Sequence, residues 1–210
     1  MRIILAFMLV LCSIQAHAKE WVFVVQPERI EILDAKYLRP KTFFLQHYNI
    51  CNMINLSFFT HKEAIPPHKG MNTFNYDMPR KGWGIFWIDK LNKCNIDTGG
   101  AWSVDIAFRS KAVAAGYPML VYNKKIIPIK KSTFANRKCP RTALGILETG
   151  EVLIYVSQRA TLYDVQKFMY KRECISVLNF DGGGSTFLFV NGKKIFSSQP
   201  PRKYPNILSW

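Results

Sequence analysis

The chain has 210 residues, of which 49% are hydrophobic and 14% aromatic, and it carries 29 Lys and Arg against 14 Asp and Glu. This composition excludes a disordered chain, because it supplies enough apolar surface for a packed core in one domain. The formal net charge of +15 indicates attraction to anions, such as a phosphoglycan or an anionic envelope surface. No nucleic-acid-binding motif stands out, so nucleic acid is not an expected partner.

The N-terminus has the pattern of a secretory signal peptide. Arg2 precedes an almost wholly apolar run over residues 3–14, and Ala16-His17-Ala18 has the A-x-A form of a cleavage site. We therefore expect a signal peptide over residues 1–18, cleavage after Ala18 and a periplasmic or secreted domain over residues 19–210. The alternative is an uncleaved anchor, although the apolar run is short for a membrane span.

Four cysteines follow the predicted signal peptide, at positions 51, 94, 139 and 174. An even number in an exported protein predicts two disulfides, and three pairings are open. We prefer Cys94–Cys139, because both lie in polar, loop-like stretches. Free buried thiols are the alternative.

Short apolar runs separated by turn residues predict a single domain with a mixed α/β, or α+β, fold. It has a mixed β-sheet core, a few helices and an active loop at strand ends. The clearest helix begins at Thr161, where Thr161 and Asp164 form a capping-box pattern. The other expected elements are strands at 21–25, 30–32, 82–88 and 152–156, a helical turn after residue 40, a loop at 61–77, a polar hairpin at 92–100, and hairpins at 123–127 and 191–192.

A glycine-rich loop follows the next apolar run, at Asp181-Gly182-Gly183-Gly184-Ser185-Thr186. Three glycines in a row suit a backbone that needs unusual dihedral angles or close approach to a ligand. Their N–H groups can form a concave nest for an anionic oxygen. The carboxylate of Asp181 can act as acid, base or orienting acceptor, whereas the structural alternative is a hairpin turn with a solvated Asp.

The segment L-N-F-D-G-G-G-S-T, residues 178–186, resembles the N-L-D-G-G-G-S-T signature of the phosphodiester glycosidase family, with Phe180 in place of Leu. Four further segments resemble family motifs in the same order along the chain. They are Asn55 with Phe58 and Phe59, residues 114–121, residues 140–146 (P-R-T-A-L-G-I) and residues 202–208 (R-K-Y-P-N-I-L).

This resemblance implies an exported hydrolase that cleaves a sugar-1-phosphodiester in a phosphoglycan or related envelope glycan. The residues that it marks as catalytic are Asp181, Arg141 and Asn55. It implies substrate contacts at Asn179, Gly182, Gly183, Gly184, Ser185, Thr186, Arg202 and Asn206. The planar guanidinium of Arg141 suits bidentate recognition of phosphate. We expect a phosphorylated carbohydrate substrate and no cofactor, while the metal requirement and the oligomeric state stay open.

Two other classes of protein fit the same residues. A non-catalytic protein that binds anionic glycans would keep a basic cleft without needing Asp181. A structural envelope protein would use the basic surface and the disulfides without needing a site. The enzyme is preferred because several motifs match, although fold-level analogy alone does not establish function.

Overall fold

The computed structural model describes residues 19–46, 50–60, 64–69, 74–75, 77–198 and 202–210. The predicted signal peptide and much of the loop at 61–77 lie outside these residues. The strands are β1 (Glu20–Val25), β2 (Glu31–Leu38), β3 (Met53–Asn55), β4 (His68–Lys69), β5 (Phe74–Asn75), β6 (Gly84–Asp89), β7 (Cys94–Thr98), β8 (Ser110–Gly116), β9 (Met119–Tyr122), β10 (Lys125–Ile126), β11 (Cys139–Ile146), β12 (Val152–Ala160), β13 (Ser176–Phe180), β14 (Phe187–Val190), β15 (Lys193–Ser197) and β16 (Tyr204–Ser209). The helices are α1 (Pro40–Gln46), α2 (Val104–Arg109), α3 (Thr133–Asn136) and α4 (Leu162–Lys171).

The strands form three sheets in a single, mostly β domain. The first sheet has the order β1-β12-β11-β13-β9-β10, the second β15-β14-β3-β16-β2 and the third β5-β4-β8-β6-β7. All paired neighbours within the described residues are antiparallel. The expected fold class is confirmed, with β-sheet dominating over a few short helices.

One hydrophobic core joins the three sheets. Leu144 and Leu178 come from the first sheet, Ile54 and Leu208 from the second, and Phe86 from the third, and each is fully buried. Burial of this apolar surface is the main favourable contribution to folding. The shared core explains why the three sheets form one domain.

Local sequence signals account for several elements. The Thr161 hydroxyl accepts from the N–H of Asp164, and the Asp164 carboxylate accepts from the N–H of Thr161, so the predicted capping box begins α4. Asn191 and Gly192 both have positive φ angles, as a two-residue turn between β14 and β15 requires. Both predictions are confirmed.

Helix α4 covers one face of the first sheet. It packs through Leu162, Val165 and Met169, all fully buried. A Cβ added to Gly145 of β11 would lie 2.8 Å from Met169 Cε and 2.7 Å from Cys174 Sγ. The helix and the turn after it therefore sit closer to the sheet than a larger side chain would allow.

The glycine loop connects two of the sheets. Strand β13 of the first sheet ends at Phe180, and β14 of the second sheet begins at Phe187. Residues 181–186 thus cross from one sheet to the next at the end of a central strand. The predicted placement of this loop at strand ends is confirmed.

The prediction of two disulfides is wrong for this structure. The four described cysteines are all free, and the preferred Cys94–Cys139 pair is not bonded. Cys94 lies in β7 and faces the shared core, where the sequence suggested a polar hairpin, and Cys174 packs beneath α4. Burial raises the pKa of each of these two thiols to about 12. Cys51 is exposed.

Candidate active site

Asp181 is the first residue after β13, and hydrogen bonds hold its backbone on both sides. Its N–H donates to Leu56 O at 3.1 Å, and its carbonyl accepts from Asn55 Nδ2 at 2.6 Å. One carboxylate oxygen accepts from the N–H of Gly182 at 2.9 Å. The carboxyl group therefore has a fixed position at the strand end.

The pKa of Asp181 is raised to about 6, and burial is the main cause. The Ser185 side chain, the Gly182 N–H and the charge of Arg202 act in the opposite direction, each favouring the carboxylate. A carboxyl group with this pKa exchanges a proton near neutral pH. This is the property that a general acid or base requires.

The glycine loop makes one tight turn. A Cβ added to Gly182 would lie 2.7 Å from Pro140 O, and Gly183 has a φ angle of +58°. The N–H groups of Ser185 and Thr186 donate to Gly182 O and Gly183 O. The N–H groups of Gly183 and Gly184 have no hydrogen-bond partner within the described residues. These two neighbouring donors are available for an anion, in line with the predicted nest.

Strand β16 supports the loop from the C-terminal side. The Tyr204 hydroxyl donates to Ser185 O at 2.7 Å, and burial raises the pKa of Tyr204, so that its proton is retained. The exposed Arg202 precedes this strand and lies close enough to lower the pKa of Asp181. Arg202 is thus the cation that the structure places beside the carboxylate.

Asn55 is fully buried and binds three parts of the site. Besides donating to Asp181 O, it accepts from Thr142 Oγ1 at 3.1 Å and from the N–H of Phe187 at 3.2 Å. It therefore fixes both ends of the glycine loop against β11. The sequence suggested a catalytic Asn55, but its contacts make it a positioning residue.

Arg141 also departs from the prediction. Its guanidinium is buried, with Nη2 donating to Phe134 O at 2.6 Å and Arg137 O at 3.0 Å, and Nε donating to Ala160 O at 3.3 Å. Its Cζ also lies 4.9 Å from the centre of the Phe134 ring. Because main-chain carbonyls accept from these donors, the guanidinium is not placed to bind a phosphate through two hydrogen bonds. Arg141 instead joins α3 and β12 to the strand beside the loop.

Three of the predicted substrate-binding side chains are buried, and two of them, Asn179 and Asn206, support neighbouring segments. Asn179 Nδ2 donates to Tyr117 O at 2.6 Å and to Phe180 O at 3.0 Å. Asn206 accepts from the N–H of Ser57 and donates to its hydroxyl. The Thr186 hydroxyl and Asn179 Oδ1 are buried without a partner among the described residues. Of the predicted set, Gly183, Gly184 and Arg202 thus remain available for a ligand, and Ser185 bonds to Asp181.

A row of aromatic side chains passes beside Asp181. The ring centroids of Phe58 and Trp83 are 5.2 Å apart, those of Trp83 and Tyr117 are 5.7 Å apart, and those of Tyr117 and Phe134 are 6.2 Å apart. Phe58 follows Leu56 by two residues, and the N–H of Tyr117 donates to the carbonyl of Asn179 at 2.8 Å. The row therefore forms an apolar wall along the end of β13.

A cavity of about 250 Å³ lies beside Tyr117 and Phe134 of this row. It is lined by Tyr117, Phe134 and Leu162, among other apolar residues, with Lys130 and Ser132 as polar groups.

Within the described part of the chain, no group of three or more His, Cys, Asp or Glu could hold a metal ion. No helix among the same residues is long and apolar enough to span a bilayer.

Comparison with known protein families assigns this chain to one of them. The sequence profile of phosphodiester glycosidases matches residues 67–209, which include the glycine loop, Arg141 and Arg202. This chain belongs to the phosphodiester glycosidase family. The match begins after Asn55, so that residue lies outside it. A search of curated proteins finds no match to the chain.

Solved structures show the same fold at low sequence identity. The zebrafish N-acetylglucosamine-1-phosphodiester alpha-N-acetylglucosaminidase catalytic domain, auto-inhibited by its pro-peptide, aligns with a TM-score of 0.72 and 14% identity, over 97% of this chain and 86% of the other. A hypothetical protein from Synechocystis aligns with a TM-score of 0.67 and 11% identity, over 91% and 59%. A Burkholderia pseudomallei protein described as exported aligns with a TM-score of 0.57 and 11% identity, over 90% and 73%.

Sequence reasoning missed Tyr204, Ser57 and the aromatic row. Tyr204 lies inside the R-K-Y-P-N-I-L segment that was singled out for its Arg and Asn. The Tyr in this segment was a usable signal, because a buried Tyr hydroxyl needs a hydrogen-bond partner. The row had no such signal, since its members come from four separate elements and loops.

Proposed function

We propose that this chain hydrolyses a sugar-1-phosphodiester, with Asp181 at the reacting centre and the glycine loop as the phosphate site. The observation that carries the proposal is the pairing of a carboxyl group of pKa about 6 with two neighbouring N–H donors, on Gly183 and Gly184. Membership of the phosphodiester glycosidase family supports hydrolysis as the reaction class. The zebrafish neighbour, named for an N-acetylglucosamine-1-phosphodiester, supports a phosphodiester substrate.

The phosphate is held by fixed dipoles and a nearby cation. The N–H groups of Gly183 and Gly184 donate to its oxygens, and Arg202 supplies an adjacent positive charge. Such preorganised donors stabilise negative charge that develops on the leaving oxygen as the bond breaks. The buried guanidinium of Arg141 adds positive potential without contacting the ligand.

In the proposed reaction, Asp181 accepts a proton from water. Water adds to the anomeric carbon, the bond from that carbon to the phosphate oxygen breaks, and the phosphomonoester leaves with the bonding electrons. The water proton passes to the Asp181 carboxylate. A phosphomonoester is a good leaving group, so the reaction needs less help from a general acid than an ordinary glycoside does. The aromatic row, with Trp83 and Tyr117 half-buried, lies where it can pack against the sugar.

The proposed setting is the cell envelope or the exterior. The N-terminal pattern of residues 1–18 supports export, and the Burkholderia neighbour is itself described as exported. A basic protein in that setting meets phosphorylated glycans, the substrate class that the site suits.

The test is product analysis on purified protein. A panel of sugar-1-phosphodiesters that vary in sugar and aglycone is incubated with the protein, and both the free sugar and the phosphomonoester are quantified. We expect equimolar release of the two from at least one compound. Binding of these compounds without release of either product would contradict the proposal and favour the non-catalytic glycan-binding protein.

A further inference from the structure

The third sheet carries an unusual concentration of exposed apolar side chains. Among the described residues, the four most exposed large hydrophobic side chains are Met78 (64%), Leu91 (88%), Val104 (72%) and Phe108 (73%). All four lie in this sheet's helix α2 or in the loops between its strands. Contiguous exposed apolar surface in a folded protein marks an interaction site.

Three of these side chains lie on two neighbouring segments, the hairpin between β6 and β7 and helix α2. Leu91 is at the tip of the hairpin between β6 and β7. The N–H of Lys90 donates to Arg109 O at 3.1 Å, and Lys111 Nζ donates to Asn92 Oδ1, so the hairpin tip adjoins the end of α2. Val104 and Phe108 are four residues apart on α2 and therefore share a face.

Lysines surround this apolar surface, and they outnumber the acids beside them, Asp89 and Asp105. The exposed Lys90, Lys93 and Lys111 have no ion-pair partner within the described residues. Asp89 accepts from the N–H groups of Leu91 and Lys93 inside the hairpin, at 2.8 Å each. Asp105 pairs with Arg109 on α2 itself, at 3.1 Å, and Asp97 accepts from Trp87 and Tyr122.

We propose that this patch, formed by Leu91, Val104, Phe108, Lys90, Lys93 and Lys111, binds the surface of an anionic lipid bilayer. Apolar side chains can enter the boundary between headgroups and acyl chains, while lysines at the rim contact lipid phosphates. A second copy of the chain fits less well as the occupant, because a symmetric contact would bring the same lysines together. The proposal does not depend on the reaction at Asp181.

The test is sedimentation with vesicles of phosphatidylcholine alone or with one quarter phosphatidylglycerol, using protein purified as the host cell processes it. An apolar variant carries Leu91→Ser and Phe108→Ser, and its control carries Val24→Ser and Ile195→Ser, at exposed positions outside the patch. A charge variant carries Lys90→Gln, Lys93→Gln and Lys111→Gln. Its control carries three equivalent changes at exposed lysines outside the patch, Lys167, Lys171 and Lys193.

We expect the wild type to bind the anionic vesicles and not the neutral ones. The charge variant should bind at least about 10-fold more weakly, since each lysine near an anionic surface contributes roughly 5-fold. The apolar variant should also bind more weakly, and both controls should stay close to the wild type. All five proteins share one N-terminus, so any contribution of residues 1–18 cancels. Equal losses in the variants and their controls, or no binding by the wild type, would overturn the proposal, as would dimerisation through Leu91 and Phe108 without vesicle binding.

Discussion

At the scale of single residues, the decisive feature is the environment of Asp181. Burial disfavours its charged form, while Ser185, the Gly182 N–H and Arg202 favour it, and the pKa settles near 6. The same burial has a cost in stability. A carboxyl group whose pKa is raised by folding stabilises the fold most when protonated, and this contribution is lost as the pH rises from about 4 to 6.

Asp181→Asn should therefore change the pH dependence of stability. The free energy of unfolding of the wild type should fall by up to about 3 kcal/mol relative to the variant between pH 4 and pH 7, as a shift of about two pKa units implies. Urea unfolding of both proteins at the two pH values measures this, and all other titrating groups are common to the pair. Parallel pH profiles would show that Asp181 has an ordinary pKa.

Asn55 gives a second prediction at this scale. Asn55→Ala leaves the buried Phe187 N–H, the Thr142 hydroxyl and the Asp181 carbonyl without their partner, so we expect a loss of about 2–4 kcal/mol in the free energy of unfolding. A control is Asn52→Ala, which removes two hydrogen bonds from a half-buried Asn. The control should lose less, on the order of 1 kcal/mol. A stable Asn55→Ala protein without turnover would instead return Asn55 to a catalytic role.

At the scale of elements, Arg141 shows why contacts at the end of a strand were hard to predict. Its position at the start of β11 was readable from the P-R-T-A-L-G-I segment. The direction of its side chain was not, because the carbonyls that it binds come from α3, the residue after it and the end of β12. Such partners are brought together only by the tertiary fold.

Arg141→Lys should lower the stability of the fold more than it changes substrate binding. A single ammonium cannot replace donors on two sides of a planar guanidinium, so we expect the free energy of unfolding to fall by about 2–4 kcal/mol. The KM of the folded fraction should change little. Chemical unfolding alongside steady-state kinetics separates the two effects. Unchanged stability with a large increase in KM would mean that Arg141 does contact the phosphate.

Local rules predicted some elements and missed others. The capping box at Thr161 and the turn at Asn191-Gly192 depend on neighbouring residues, and both were predicted correctly. Strand β7 was interpreted as a polar hairpin, although buried Cys94 and Ile96 alternate with half-buried Asn95 and Asp97. That two-residue period was the missed signal.

At the scale of the whole molecule, the three-sheet arrangement could not be predicted from the sequence. Strand β3 pairs with β14 and β16, which follow it by more than 130 residues, and no local pattern encodes such pairing. The position of the glycine loop between two sheets, and its attachment through Asn55 and Tyr204, follow from those pairings. The loop itself was readable because its segment, residues 178–186, resembles the family signature; its glycines alone would also have fitted a hairpin turn.

The free thiols give a test of the whole fold. We expect denatured, unreduced protein to show a reactive thiol at each of Cys51, Cys94, Cys139 and Cys174. In the native protein Cys51 should react first, because it is exposed, whereas Cys94 and Cys174 should be protected by burial and by their raised pKa. Reaction with a thiol reagent, followed by peptide mapping, measures both states. A protected pair in the denatured protein would reveal a disulfide and contradict the structure.

The catalytic role of Asp181 is tested by comparing ligand affinity and turnover in Asp181→Asn, with Asp105→Asn as the control at an exposed acid. A carboxylate beside a phosphate weakens ground-state binding by repulsion, and an enzyme gains from it only in the transition state. Calorimetry with a sugar-1-phosphodiester should show that Asp181→Asn binds as well as the wild type or better. Its turnover should fall by roughly 100-fold or more, while Asp105→Asn stays normal. Normal turnover by Asp181→Asn would contradict the assignment of Asp181 as the catalytic carboxylate.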